Sequence, residues 1–253
     1  MEMTFSSPQM FGFVVRAILT ITFPFICMFI AHKKFDGRIF PFVVGLIAVN
    51  LLVIPRALLR GTIVPDSGDF TMRLVLSSLI GAFCEETTRF LIFRYMLKNY
   101  DTLTDAVCYG IGHHGMEVIP SVSFCFDAIA TGSKLNSVGL EAMIAGLSAE
   151  KADALVKQIE IYTSIGFLEH ADVVLSWIAS LAMQIAWSVL VFTAAYRQDY
   201  RKFYFAAILL HVVANVLIFG IIMNIISATA MCYFAYRVAK SSELPVTHSE
   251  YYD

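Results

Sequence analysis

Long runs of apolar residues are the feature that most limits what this chain can fold into. A membrane-spanning helix needs about 20 mainly apolar residues. Of the 253 residues, 58% are hydrophobic and 15% are charged, whereas soluble domains have about half and a quarter, respectively. The sequence therefore predicts an all-α fold, a polytopic membrane helix bundle of about seven transmembrane helices. The predicted spans are residues 11–31, 39–59, 74–97, 105–131, 171–196, 203–219 and 223–239.

The predicted spans form one domain, with little sequence outside it. We expect a single transmembrane domain over residues 1–240 and a flexible cytoplasmic tail over 241–253. The last two spans are separated by few polar residues, so one long kinked helix is the alternative there. A polar outer loop is predicted at 132–170, and it carries an amphipathic helix that begins after a candidate N-cap, Ser148. This helix either lies in solvent or covers a site between the spans.

Basic residues predict the orientation of the chain in the membrane. Those that follow the first, third, fifth and seventh spans fall on one side if the spans alternate, and that side is predicted to be cytoplasmic. The N-terminus is then outside, and the protein is an integral, multi-pass protein, expected in a bacterial cell membrane. Arg56, Arg60 and Arg73 lie on the opposite side. The net charge of −2 gives no indication of a nucleic-acid partner.

One predicted span carries three charges in its interior. Glu85, Glu86 and Arg89 lie within an otherwise apolar run, and a charged side chain at the bilayer centre costs roughly 2.5–3.5 kcal/mol. Arg89 can reach either glutamate along one helix face, because it lies four residues after the first and three after the second. An ion pair that only holds helices together explains one glutamate and leaves the other unexplained.

Two later spans carry further polar residues. In the sequence GIGHHGME, His113 and His114 can each share a helix face with Glu117, and the glycines allow another helix or a substrate to approach closely. In HVVAN, His211 and Asn215 are one helical turn apart. Each group alone is consistent with hydrogen bonding between helices.

The depths of the three groups coincide. With a rise of about 1.5 Å per residue, Glu85 lies roughly 18 Å from the predicted cytoplasmic end, His113 roughly 12–15 Å and His211 roughly 12 Å. Independent hydrogen bonds need not share a depth, whereas the residues of one site must. We therefore expect the three spans to contribute to a common site.

Hydrolysis is the chemistry that best suits these residue types. Imidazole and carboxylate groups bind zinc with a position open for water, and the set Glu85, His113 and His211 is the candidate for that role. Alternatively, a carboxylate activates water without metal, while imidazole and amide groups stabilise an oxyanion. Either glutamate of the pair can be the base in these schemes. Arg56 is expected outside the site, so its replacement with Gln should matter far less than that of Glu85.

The three motifs together resemble the YhfC-type intramembrane endopeptidases. That group is placed with the CAAX-processing and bacteriocin-processing (CPBP) proteases, the superfamily of the type II CAAX prenyl endopeptidase. The resemblance covers about residues 74–239, and the GxGH…E form of the second motif indicates the YhfC-type branch. The residues that carry it, and that it identifies as candidate catalytic residues, are Glu85, Glu86, Arg89, His113, Glu117, His211 and Asn215.

The resemblance implies separate roles for these residues. Glu85 resembles the water-activating carboxylate, with His113 as its partner, and Arg89 would orient the second glutamate. His211 and Asn215 resemble the pair on the oxyanion or metal side. The implied activity is endoproteolysis of a membrane-embedded or membrane-proximal peptide or protein, with or without the help of zinc.

Two other functions are compatible with the same residues. A cation or proton transporter or channel could use them as its pathway, although no second half of the sequence resembles the first, as inverted repeats would require. A non-catalytic membrane scaffold could retain them as a polar core.

Overall fold

The structure is a computed structural model that describes residues 4–65, 67, 69–217 and 220–247. The regular elements in these ranges are all helical, as the sequence predicts. A π-helical turn, Ile92–Met96, extends the fourth helix, and a 3-10 turn, Gln198–Tyr200, precedes the ninth. The α-helices are α1 (Ser7–Phe35), α2 (Ile39–Leu51), α3 (Val53–Ile63), α4 (Phe70–Leu91), α5 (Leu103–Glu117), α6 (Ile119–Ile144), α7 (Ala149–Ser164), α8 (Phe167–Tyr196), α9 (Lys202–Leu217) and α10 (Ile221–Ser242).

Four helical segments in the described ranges are long and apolar enough to cross a membrane. They are Ser7–Phe35, Ile39–Ile63, Phe167–Tyr196 and Ile221–Ser242. The predicted count of about seven is not confirmed. Helices α4, α5 and α9 do not meet the same test, because α4 carries the charges of the candidate site and the other two are only 15 and 16 residues long.

Several helix boundaries differ from those of the spans predicted from the apolar pattern. The predicted span 105–131 is interrupted at Val118, and α6 then continues to Ile144, well into the predicted outer loop. Proline near the start of α6 explains the interruption, because Pro120 has no N–H with which to continue the hydrogen bonds of α5. The last two predicted spans are separate helices, with Gly220 at φ 82° before α10. Residues 218 and 219 lie outside the described ranges.

Contacts divide the chain into two compact units. The first comprises the described parts of Met1–Phe23 and Val118–Trp177. Its core contains aromatic rings from α1 and α7, among them Phe13 and Tyr162. The centroids of these two rings are 6.0 Å apart, and the ring planes are nearly perpendicular. Helix α7 occupies the segment in which the amphipathic helix is predicted, and the side chain of Ser148 accepts a hydrogen bond from the backbone N–H of Lys151 at its N-terminus.

The second unit comprises the described parts of Pro24–Glu117 and Ile178–Asp253, and it contains the candidate site residues. Its helices approach closely at glycines. A Cβ atom at Gly112 would lie 2.0 Å from the carbonyl oxygen of Phe42, and one at Gly45 would lie 2.2 Å from that of Tyr109. Helices α2 and α5 therefore touch backbone to backbone, which no larger residue at either position permits.

The first turn of α5 is hydrogen-bonded to residues 245 and 246, which follow α10. The N–H groups of Leu103 and Thr104 donate to the carbonyl oxygens of Pro245 and Val246, at 2.9 and 3.1 Å. The first N–H groups of a helix have no partner within the helix itself, so these bonds satisfy them. Of the predicted tail, residues 241–247 are described, and residues 248–253 lie outside the described ranges.

Candidate active site

Glu86 and Arg89 form a fully buried ion pair on α4. Arg89 Nη1 donates to Glu86 Oε2, and Arg89 Nη2 donates to Gln184 Oε1 at 2.6 Å. The other carboxylate oxygen of Glu86 is hydrogen-bonded to Nδ1 of His211 at 2.7 Å. Buried ion pairs are tolerated when hydrogen bonds satisfy the remaining polar atoms, and here both carboxylate oxygens of Glu86 have partners.

Glu85 is also buried, but its two oxygens differ. Oε1 lies 2.8 Å from Nη1 of Arg56. Oε2 is buried and has no hydrogen-bond partner among the described residues. The imidazole nitrogens facing it are Nε2 of His211 at 3.6 Å and Nε2 of His113 at 3.7 Å. These distances exceed those of direct hydrogen bonds, so this oxygen is held near two imidazoles without being engaged by either.

His113 lies between two carboxylates. Its Nε2 is 3.5 Å from Oε1 of Glu117 and 3.7 Å from Oε2 of Glu85. The residue is 1% exposed, and within the described ranges neither ring nitrogen makes a hydrogen bond. Buried polar atoms are nearly always hydrogen-bonded in native proteins. The unpaired atoms of Glu85 and His113 therefore indicate a place where a water molecule, an ion or a substrate group belongs.

Glu117 and His211 are oriented by residues of α8. Gln184 Nε2 donates to both carboxylate oxygens of Glu117 at 2.9 Å, while its Oε1 accepts from Arg89. The ring of Trp187 stacks on that of His211, with centroids 3.9 Å apart and planes 10° apart. One glutamine thus connects the ion pair on α4 with the end of α5.

The donor atoms nearest to one another belong to Glu85, His113 and Glu117. One ligand atom from each lies within 4.8 Å of the others. Two carboxylates and one imidazole are a donor set that binds zinc and similar divalent metals. The metal-binding set predicted from sequence differs from this one, because it contains His211 in place of Glu117. His211 Nδ1 is hydrogen-bonded to Glu86, so Nε2, facing Glu85, is the nitrogen that remains for another partner.

Asn215 stands apart from the other predicted residues. It lies one turn after His211 on α9, and its side chain is exposed. None of the hydrogen bonds in the described part of the chain connects it with the glutamates or histidines of the site. The structure therefore gathers six of the seven predicted residues into one cluster, and Asn215 is not among them.

Three site residues escaped the sequence analysis: Arg56, Gln184 and Trp187. The expectation that Arg56 lies outside the site is wrong, because its guanidinium contacts Glu85 directly. Gly81 makes room for it, since a Cβ there would lie 3.1 Å from Arg56 Nη2. Gln184 had a detectable signal, as a polar side chain in the middle of an apolar span. Trp187 had none, because an aromatic residue in a membrane helix is common.

Comparisons with known proteins agree with the sequence motifs. The family model described as YhfC intramembrane metalloprotease matches residues 65–233, which include the clustered site residues other than Arg56. The Uncharacterized membrane protein YhfC of Bacillus subtilis (strain 168) is 27% identical over 152 residues, which cover 56% of this chain and 54% of that protein. The match thus spans about half the length of this curated relative. No solved structure matches the chain.

Placement in the CPBP superfamily stays a prediction. The family model covers more than half of the chain, and the chain therefore belongs to the YhfC intramembrane metalloprotease family.

Proposed function

We propose that this chain is an intramembrane endopeptidase that hydrolyses a peptide bond of a membrane-embedded or membrane-proximal substrate. The observation that carries the proposal is the buried oxygen Oε2 of Glu85, which has no hydrogen-bond partner among the described residues and faces two imidazole nitrogens at 3.6 and 3.7 Å. Membership of a family described as metalloproteases supports the same reaction. A scaffold needs no carboxylate oxygen kept free in this way, whereas a proton transporter could use one, so the experiment below separates hydrolysis from transport.

In the proposed reaction, Glu85 Oε2 accepts a proton from a water molecule held between it and the imidazoles. The oxygen of that water attacks the carbonyl carbon of the substrate, and negative charge develops on the carbonyl oxygen. His113 can donate a hydrogen bond to that charge, and His211 can do so from Nε2 when its ring is protonated, because Nδ1–H already donates to Glu86. The proton on Glu85 then passes to the departing amine. Glu86 takes no part in these steps, because Arg89 and His211 occupy both of its oxygens.

The donor set also fits a divalent metal ion, and we propose as the alternative form of the reaction that Glu85, His113 and Glu117 would hold it. In that form Glu85 and His113 would be ligands and would not also serve as the base and the oxyanion donor. When bound, such an ion lowers the pKa of a coordinated water and polarises the substrate carbonyl. Gln184 would serve as the partner that orients Glu117, through the two hydrogen bonds at 2.9 Å. Partners of this kind fix the orientation of metal ligands in many sites.

Metal analysis combined with peptide cleavage tests the proposal. The purified protein should bind zinc, and chelation should abolish cleavage of transmembrane peptides, with recovery on adding zinc. His113→Ala should reduce the bound metal measured by mass spectrometry, whereas the same change at the exposed Glu160 should not. Cleavage that persists after complete removal of metal would contradict the metal-assisted form. Proton flux into protein-containing vesicles, without cleavage of any peptide, would favour a transporter.

Arg56 is a positioning residue in this scheme, and we predict that Arg56→Gln lowers cleavage by about ten- to a hundredfold. A charge-assisted hydrogen bond of this kind contributes about 1.5–3 kcal/mol. The loss should appear in kcat more than in KM, because the bond orients the base, and Arg56→Lys should restore part of it. Arg60→Gln is the matched control, since Arg60 lies one turn later on α3 and is exposed. Equal losses in the two glutamine variants would contradict this role.

A further inference from the structure

An apolar groove lies in the first unit, which contains none of the residues proposed for hydrolysis. It is bounded by residues 8–19 of α1 and by residues 165–175, at the beginning of α8, and its volume is about 590 Å³. That volume falls in the range of small-molecule binding sites, about 300–1,000 Å³. Its walls are formed largely by carbon atoms of residues such as Val15, Leu19 and Leu175. The polar residues that line it are Gln9, Arg16 and His170, and two of these, Arg16 and His170, carry ionisable side chains.

Arg16 is a buried cation that has no acidic partner among the described residues. It is 8% exposed, and Nη2 donates to the hydroxyl oxygen of Ser121 at 2.8 Å. Its Nε has no acceptor, and in the described ranges the guanidinium makes no ion pair with Asp or Glu. The guanidinium lies 5.4 Å from the centre of the Phe124 ring. A buried charge that lacks a partner is costly, and an unpaired ionisable residue among membrane helices indicates a functional site.

His170 lies in the same groove. It is 6% exposed, and both ring nitrogens are buried without a hydrogen bond to any described residue. Its ring packs edge-on against Phe13, with centroids 4.6 Å apart. A Cβ atom at Gly12 would lie 2.6 Å from the ring, so the glycine is required for this placement. The groove is thus lined by a second buried group, from α8, that makes no hydrogen bond to any described residue.

We propose that this groove binds an anionic amphiphile, whose acyl chain lies along α1 and whose carboxylate or phosphate group is held by Arg16 and His170. An anion supplies the charge that Arg16 lacks and accepts hydrogen bonds from both side chains. An acyl chain matches the carbon-lined walls. Residues 8–19 rise about 16 Å along the helix, which is long enough to accommodate much of a lipid chain.

The ligand chemistry can come from a fatty acid or from an anionic phospholipid, and a binding experiment distinguishes them. The purified full chain in neutral detergent is titrated with oleate, with dioleoyl phosphatidylglycerol, with dioleoyl phosphatidylcholine and with inorganic phosphate alone. Native mass spectrometry counts the bound molecules, and equilibrium titration gives Kd. Tight binding of oleate identifies a fatty-acid site, and tight binding of phosphatidylglycerol identifies a phospholipid site.

Arg16→Gln should weaken binding of the anionic ligand about tenfold or more, as expected for loss of a charge-assisted hydrogen bond. Lys157→Gln, which removes one positive charge from the exposed face of α7 in the same unit, should leave Kd unchanged. If Arg16→Gln fails to fold, Val15→Trp is used in its place. This variant fills the groove and keeps the charge of Arg16, and it should also weaken binding of the anionic ligand. Unchanged affinity in the folded variants would overturn the proposal, as would equal affinity for phosphatidylcholine or for inorganic phosphate. Because the readout is binding, the outcome does not depend on whether the chain cleaves peptides.

Discussion

Replacement of Glu85 with Gln is expected to reduce peptide cleavage about a thousandfold, within the range of about 10²–10⁴ that general acid–base groups contribute. Gln has the same shape as Glu, and its carbonyl oxygen can still accept from Arg56 at the position that Oε1 occupies. It cannot take a proton from water. The fold should therefore persist while the reaction stops. The measurement is cleavage of a transmembrane peptide by the purified variant, together with its thermal unfolding temperature in detergent.

Two matched variants make this result interpretable. Glu160→Gln makes the same acid-to-amide change on the exposed face of α7 and should leave cleavage unchanged. Glu86→Gln should mainly lower stability, because both oxygens of Glu86 have hydrogen-bond partners. Normal cleavage by the Glu85 variant would eliminate that residue as the base. An inactive but fully stable Glu86 variant alongside it would move the role to Glu86.

Replacement of Arg89 with Met is expected to destabilise the protein by about 3–5 kcal/mol, the usual cost of breaking a buried ion pair from one side. Arg89 is fully buried, and its guanidinium contacts Glu86 and Gln184. Without it, Glu86 is a buried carboxylate with His211 as its remaining partner. The free energy of unfolding, obtained from denaturant titration in detergent micelles, measures the effect.

A second substitution should restore much of that loss. In the double variant Glu86→Gln/Arg89→Met, no charge of the pair is left uncompensated, and the two changes should be strongly non-additive, as expected for contacting residues. Arg94→Met is the control, because Arg94 is exposed and, within the described ranges, donates one hydrogen bond, to the carbonyl oxygen of Ala195 at 3.2 Å. Additive losses in the double variant would show that the pair does not act as a unit.

The composition of the site was largely predictable from sequence, because charges are rare in apolar segments. Glu85, Glu86 and Arg89 could be assigned to one helix by spacing alone, and their similar depth to His113 and His211 predicted a common site. The structure brings these residues together within one compact unit. Even the pairing of Arg89 with one glutamate follows from the geometry of a single helix.

The contacts between helices could not be predicted in the same way. Arg56 reaches Glu85 from α3, and Gln184 reaches both Arg89 and Glu117 from α8. Such contacts depend on the rotation and tilt of each helix, which packing determines and periodicity does not. The interruption at Val118 is a different case, because Pro120 signals it in the sequence although the apolar pattern does not.

The hydrogen bonds between the start of α5 and residues 245 and 246 have a consequence for biosynthesis. Translation proceeds from the N-terminus, so the first turn of the helix that carries His113 and Glu117 has these partners only after about 140 further residues have been made. Until then, the N–H groups of Leu103 and Thr104 must find other acceptors. The first turn of α5 therefore gains these partners only after α10 and the segment that follows it have been made, long after α5 itself.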